Sequence, residues 1–127
     1  MKFIDTHAHL YSQKFNDDRK DVINNAIKSG VSKIFLPNIS SKYTHSMLEL
    51  CNDFPANCFP MMGLHPCDVK QESMQKELRH VEKMLEKEKF IAVGEIGLDL
   101  YWDKSTLNLQ KEAFQFQIEL AIKHKLP

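Results

Sequence analysis

Phe3-Ile4-Asp5-Thr6-His7-Ala8-His9-Leu10 is an apolar run that passes directly into two histidines one residue apart. Side chains alternate faces along a β-strand, so this stretch, read as a strand, projects Phe3, Asp5, His7 and His9 to one side. Two neighbouring imidazoles at a strand end form half of a metal site, and the neutral ring nitrogen suits zinc, iron or manganese. The same pair would also serve a strand leaving the core for solvent. The rest of the chain weighs these two readings.

Short apolar runs recur at intervals of roughly 30 residues, the length of a strand–helix unit. They are Lys2–Thr6, Ser32–Pro37, Asn57–Gly63 and Phe90–Ile96. Helical periodicity follows each of them. Val22, Ile23, Ala26 and Ile27 form the first stripe, which Gly30 stops. Met47, Leu48 and Cys51 form the second, with Pro55 beyond. Met74, Leu78, Val81 and Leu85 form the third, whose other faces carry Lys76, Glu77, Glu82, Lys83, Glu86 and Lys87. Ala113, Phe114, Ile118, Ala121 and Ile122 form the fourth. Strict strand–helix alternation implies a parallel sheet with helices packed outside it. The first strand–helix loop lacks Gly-x-Gly-x-x-Gly, which argues against a dinucleotide-binding open sheet. A (β/α) barrel of the TIM type is the expectation, here its first four βα units, a half barrel forming one domain over residues 1–127.

The composition is that of an ordinary globular protein, with 43% hydrophobic and 27% charged residues in 127. Lys+Arg and Asp+Glu both number 17, so no basic excess announces a polyanion partner. Three cysteines, Cys51, Cys58 and Cys67, with no Cys-x-x-Cys pair, argue against a disulfide framework or a thiolate zinc site and fit a reducing cytoplasm. The apolar runs are too short to span a membrane.

In a barrel the active site gathers at the carboxyl ends of the strands. Polar residues collect there. Strand one ends in Asp5, His7 and His9, and strand two in Asn38. Strand three ends in Gly63-Leu64-His65-Pro66, and strand four in Gly94-Glu95-Ile96-Gly97-Leu98-Asp99. A carboxylate at the end of an apolar strand costs free energy unless it is paired or coordinated, so Glu95 is a candidate ligand able to bridge two cations. His65 reads as a substrate-facing histidine donating to an anionic group. Asp99 leans towards a site role, Tyr101 does not. His45, His80 and His124 fall on mixed-charge helices, where surface histidines are expected.

Together these residues resemble the TatD family of metal-dependent hydrolases, the TatD-type deoxyribonucleases. The resemblance rests on Phe3 to Leu10, on Gly63-Leu64-His65-Pro66, on Gly94-Glu95-Ile96-Gly97-Leu98-Asp99, and on Gln110, Phe114, Gln117 and Leu120-Ala121 in the helix that follows. It implies that His7 and His9 bind one metal and that Glu95 bridges it to a second, the two divalent ions being Mg, Mn or Zn. It implies hydrolysis of phosphodiester bonds, in DNA as substrate, with His65 as a phosphate contact. Tyr11 departs from the family pattern, which often places Asp or Asn there, and this reads as affecting a minor loop contact. Complete barrels run to about 250 residues. The expectation is therefore an N-terminal half whose partner is the C-terminal half of the barrel or a second copy of the chain. Two other functions remain open: a related barrel hydrolase acting on an amide or ester, and a metal-binding fragment without turnover.

Overall fold

The computed structural model describes residues 1–127. Four parallel strands, β1 (Phe3–Asp5), β2 (Val31–Pro37), β3 (Cys58–Met62) and β4 (Ala92–Val93), lie in the order β1-β2-β3-β4. Each is followed by a helix: α1 (Arg19–Lys28), α2 (Ser41–Asp53), α3 (Met74–Lys87) and α4 (Leu107–His124). This is the half barrel that the alternation predicts. Sequential order without a strand reversal is what four consecutive βα units of a barrel give.

One face of the sheet packs against the helices. Ile34, Leu36, Cys58 and Met62 from the strands meet Ile23, Met47, Leu50, Leu78, Val81 and Leu120 from the helices in a core of 20 buried residues. The other face is open: Ile4 is 53% exposed, and Phe35, Phe59 and Met61 are only half-buried. Phe35 and Phe59 pair across β2 and β3 at 6.2 Å between ring centroids, with the Lys33 ammonium 5.6 Å from the Phe59 ring.

α4 departs from the expected stripe. Ile118 is 40% and Ile122 72% exposed, while Gln110 and Gln117 are 1% exposed beside buried Ala113 and Leu120. The helix turns its amides inward because they satisfy backbone groups that no helix or sheet can reach. Gln117 Oε1 accepts from Leu64 N at 2.7 Å, and its Nε2 donates to Leu64 O at 3.3 Å. Gln110 does the same for Asp99, with bonds of 2.9 and 3.0 Å. α3 also differs from a simple solvated face, since Glu77 accepts from Ser41 N and Ser41 Oγ and so caps the start of α2.

β4 is shorter than the expected Phe90–Ile96. Gly94 N still donates to Met62 O of β3 at 2.9 Å, and from the Gly94 carbonyl onward the chain crosses towards the end of β2. Asn38 N donates to both Met61 O and Gly94 O, at 3.0 and 3.2 Å, and Glu95 N donates to Asn38 O at 3.1 Å. Gly63 permits this crossing: a Cβ there would lie 2.7 Å from Gly94 C and 2.9 Å from Gly94 O, both rigid backbone atoms. Val93 N, on the outer side of β4, donates to Pro127 O at 2.9 Å. No helix is long and apolar enough to cross a membrane.

Candidate metal centre

β1 ends at Asp5, whose carboxylate accepts from His7 N at 3.0 Å and turns the chain out of the strand. His7 and His9 follow in that turn, while Ala8 N stays bound to Phe35 O. Their Nε2 atoms lie 3.2 Å apart. Glu95 arrives from the opposite edge of the sheet, carried inward by the bridge to Asn38. Its Oε2 stands 3.0 Å from His7 Nε2 and 3.1 Å from His9 Nε2. The ligand atoms of His7, His9 and Glu95 all fall within 4.8 Å of one another. Curling of the sheet is what lets β1 and β4, outermost in the strand order, meet at the carboxyl-end mouth.

His65 completes the polar cluster from the other side. Its Nδ1 accepts from Cys67 N at 3.0 Å, so the proton sits on Nε2, which donates to Glu95 Oε1 at 3.2 Å. The two oxygens of Glu95 thus face different partners. Asp99 stands outside the group of three. Its carboxylate accepts from Tyr101 N at 2.9 Å and lies within reach of the Cys67 thiol and of His65. The bond from Tyr101 N, then the Cys67 thiol, hold the Asp99 carboxyl below its ordinary value. Tyr101 is 82% exposed.

Burial holds His9 below the ordinary histidine value, against the pull of Glu95 and with a smaller push from His7. Burial likewise drives the Cys51 thiol up to about 12 and the Cys58 thiol up to about 11, so neither offers a thiolate. The donor set fits a divalent cation. An ionised carboxylate only accepts, and each neutral imidazole has one nitrogen that carries a lone pair. Two imidazole nitrogens and a carboxylate oxygen suit zinc or manganese, and three protein ligands leave coordination positions open.

Three features of the site are not read from the sequence. Tyr11 is no minor loop contact: its hydroxyl is 2.8 Å from His9 Nδ1 and donates to Pro37 O from a position 3% exposed. Asn38 is a fully buried bracket, its Nδ2 donating to Gly63 O at 3.0 Å while its backbone holds Gly94 and Glu95. His80 is half-buried rather than a surface histidine, with Nε2 2.8 Å from Thr44 Oγ1, which reaches Asn38 Oδ1 at 3.5 Å. His45 is exposed as expected, and His124 is half-buried with an unpartnered Nε2. The signal for Gln110 and Gln117 was present, as two amides seven residues apart on the stripe of Ala113 and Leu120.

A curled parallel sheet with imidazoles and a carboxylate gathered at its carboxyl-end mouth defines the class as a (β/α) barrel half with a cation-ready centre. The chain belongs to the TatD related DNase family, which matches residues 4–127. It is 32% identical over 123 residues to the uncharacterized metal-dependent hydrolase YabD of Bacillus subtilis, covering 97% of this chain and 48% of that one. It is 29% identical over 125 residues to the 3'-5' ssDNA/RNA exonuclease TatD of Pectobacterium carotovorum, covering 97% of this chain and 47% of that protein. The crystal structure of YjjV, a TatD homolog from Escherichia coli, superposes with a TM-score of 0.88 at 32% identity, over 98% of this chain and 48% of that one. The chain spans about half the length of the curated relatives it matches.

Proposed function

We propose that this chain forms the amino-terminal half of a divalent-metal-dependent phosphodiesterase acting on DNA. The observation that carries the reading is the convergence of His7, His9 and Glu95 from the two outer strands onto one point. The name of the Pectobacterium relative, an exonuclease of single-stranded DNA and RNA, supports a nucleic-acid substrate. In this reading His7, His9 and Glu95 would hold two divalent ions, with Mg, Mn and Zn as the candidates. Bound there, the ions would supply a lowered pKa for water and charge neutralisation at a phosphoryl oxygen. His65 Nε2 carries a proton and points into the mouth, so it donates to Glu95 Oε1 at rest and to a phosphate oxygen when substrate displaces that contact. Asp99 lines the loop beside His65 and orients the wall along which substrate lies. Asn38 and Gln117 hold the backbone on which Glu95 and His65 are mounted.

The test compares the wild type with His7→Ala/His9→Ala on single-stranded DNA, bis-p-nitrophenyl phosphate and a panel of amides and esters, with added Mg²⁺, Mn²⁺ or Zn²⁺. The expected result is metal-dependent cleavage of the phosphodiesters alone, lost in the variant. Cleavage of amides or esters alone would overturn the phosphodiesterase reading in favour of a related barrel hydrolase. Metal binding without turnover of any substrate would select the non-catalytic fragment.

A further inference from the structure

A phenol has one proton to give, and Tyr11 gives it to Pro37 O, a carbonyl that can only accept. The other partner of the Tyr11 oxygen is His9 Nδ1, 2.8 Å away. That contact is a hydrogen bond only if His9 Nδ1 is the donor. A neutral imidazole with its proton on Nδ1 carries its lone pair on Nε2. His9 Nε2 is the nitrogen that faces Glu95 Oε2 at 3.1 Å and His7 Nε2 at 3.2 Å.

We propose that Tyr11 is a positioning residue that locks His9 in the Nδ1–H tautomer and so presents a ready lone pair from Nε2 to the centre. The proposal rests on the metal reading: Glu95 Oε2, 3.1 Å from His9 Nε2, competes for a proton on that nitrogen, while His7 Nε2 at 3.2 Å can donate to its lone pair and a cation held there would remove the competition. The hydroxyl is in a rigid setting. Arg19 Nε donates to Leu10 O at 2.7 Å, and its Nη2 donates to Tyr11 O at 3.3 Å and Ser12 O at 2.8 Å, which clamps the backbone on both sides of Tyr11. The Tyr11 ring is buried against Tyr43, with centroids 6.0 Å apart. With the ring so held, the hydroxyl stays between Pro37 O, which can only accept its proton, and His9 Nδ1. The arrangement does for a ligand what an outer carboxylate or carbonyl does at other metal-binding histidines: it accepts from the far nitrogen and sets the ring orientation.

The experiment has two readouts on the full chain. The first is the ring ¹⁵N shifts of His9 in metal-free wild type at a pH where the ring is neutral. The second is Zn²⁺ affinity by competition with a chromophoric chelator, for the wild type and Tyr11→Phe. The expected results are Nδ1–H on His9 in the wild type and an affinity lower by about 10–100-fold in Tyr11→Phe, the loss typical of an outer partner. In folded Tyr11→Phe the His9 ring then shows a rising share of Nε2–H. Nε2–H as the main form in the wild type overturns the proposal, and this readout does not depend on whether the variant folds. Equal zinc affinity in the two proteins also overturns it. A wild type that shows Nδ1–H yet binds no zinc upholds the tautomer and defeats the metal reading instead.

Discussion

Glu95 has two carboxylate oxygens, and the fold uses them differently: Oε2 meets the two imidazoles of the β1 turn, and Oε1 meets His65. A carboxylate among half-exposed histidines is held by their protons or by a cation. Substituting Glu95→Gln removes the charge and keeps the shape. The expected outcome is a loss of Zn²⁺ affinity larger than the about 10–100-fold that an outer partner commands. The thermal midpoint in excess chelator stays close to that of the wild type. Calorimetric titration and melting curves measure both, and unchanged affinity would place the cation elsewhere. Some of this was legible from single residues. His7, His9 and Glu95 stood out because ligating side chains at the ends of apolar strands need a reason to be there. Tyr11 did not, because a phenol says nothing about its role until its two partners are known.

At the level of elements, the amides of α4 tie the helix to the site loops. Gln117→Ala would strand Leu64 N and O in a buried place, where leaving two backbone groups unsatisfied costs about 2–6 kcal/mol. An unfolding free energy lower by that amount, from urea titration, is the expected result, and a neutral effect would show that water replaces the amide. α2 and α3 are tied by another polar contact. Asn38 Nδ2 gives its proton to Gly63 O, so Oδ1 accepts from Thr44, and Thr44 in turn accepts from His80 Nε2. Burial holds His80 below its ordinary value of 6.5, with Glu77 opposing and Lys76, Arg79 and Lys83 lining the same groove. The unfolded chain then binds a proton that the folded one resists. This contribution is full above pH 6.5 and is lost as pH falls below it. The decline in thermal midpoint from about pH 7 to about pH 5 should be shallower in His80→Gln than in the wild type. An identical slope would show that His80 does not couple to folding.

For the molecule as a whole, the open face of the sheet is the dominant fact. Ile4, Phe35, Phe59 and Met61 line the side that a closed barrel would fill, and β1 has no neighbour on its outer edge. Exposed apolar surface of this kind binds hydrophobic probes and associates. The expected observation is strong enhancement of 1-anilinonaphthalene-8-sulfonate fluorescence, with concentration-dependent mass in sedimentation. Both should fall in Phe35→Thr/Phe59→Thr without loss of the helical circular dichroism signal. A monomer at high concentration with no dye response would mean that the face is covered within the chain. Such a result would also count against two copies pairing through it.

The sequence by itself determined the order of elements, the parallel sheet, the carboxyl ends of the strands as the place where polar groups collect, and the three residues that meet there. Periodicity and strand-end chemistry are local properties, written residue by residue. The tertiary structure decided everything that depends on pairs far apart in the chain. It shortened β4, because the Gly94 carbonyl and Glu95 N bond across to Asn38 instead of continuing beside β3. It turned Gln110 and Gln117 inward and left Ile118 and Ile122 outside, because unsatisfied loop carbonyls and amides outrank a few apolar side chains. It also brought His9 and Glu95, 86 residues apart, to 3.1 Å. Curvature of a sheet is a property of the assembled strands, and no single stretch of sequence carries it.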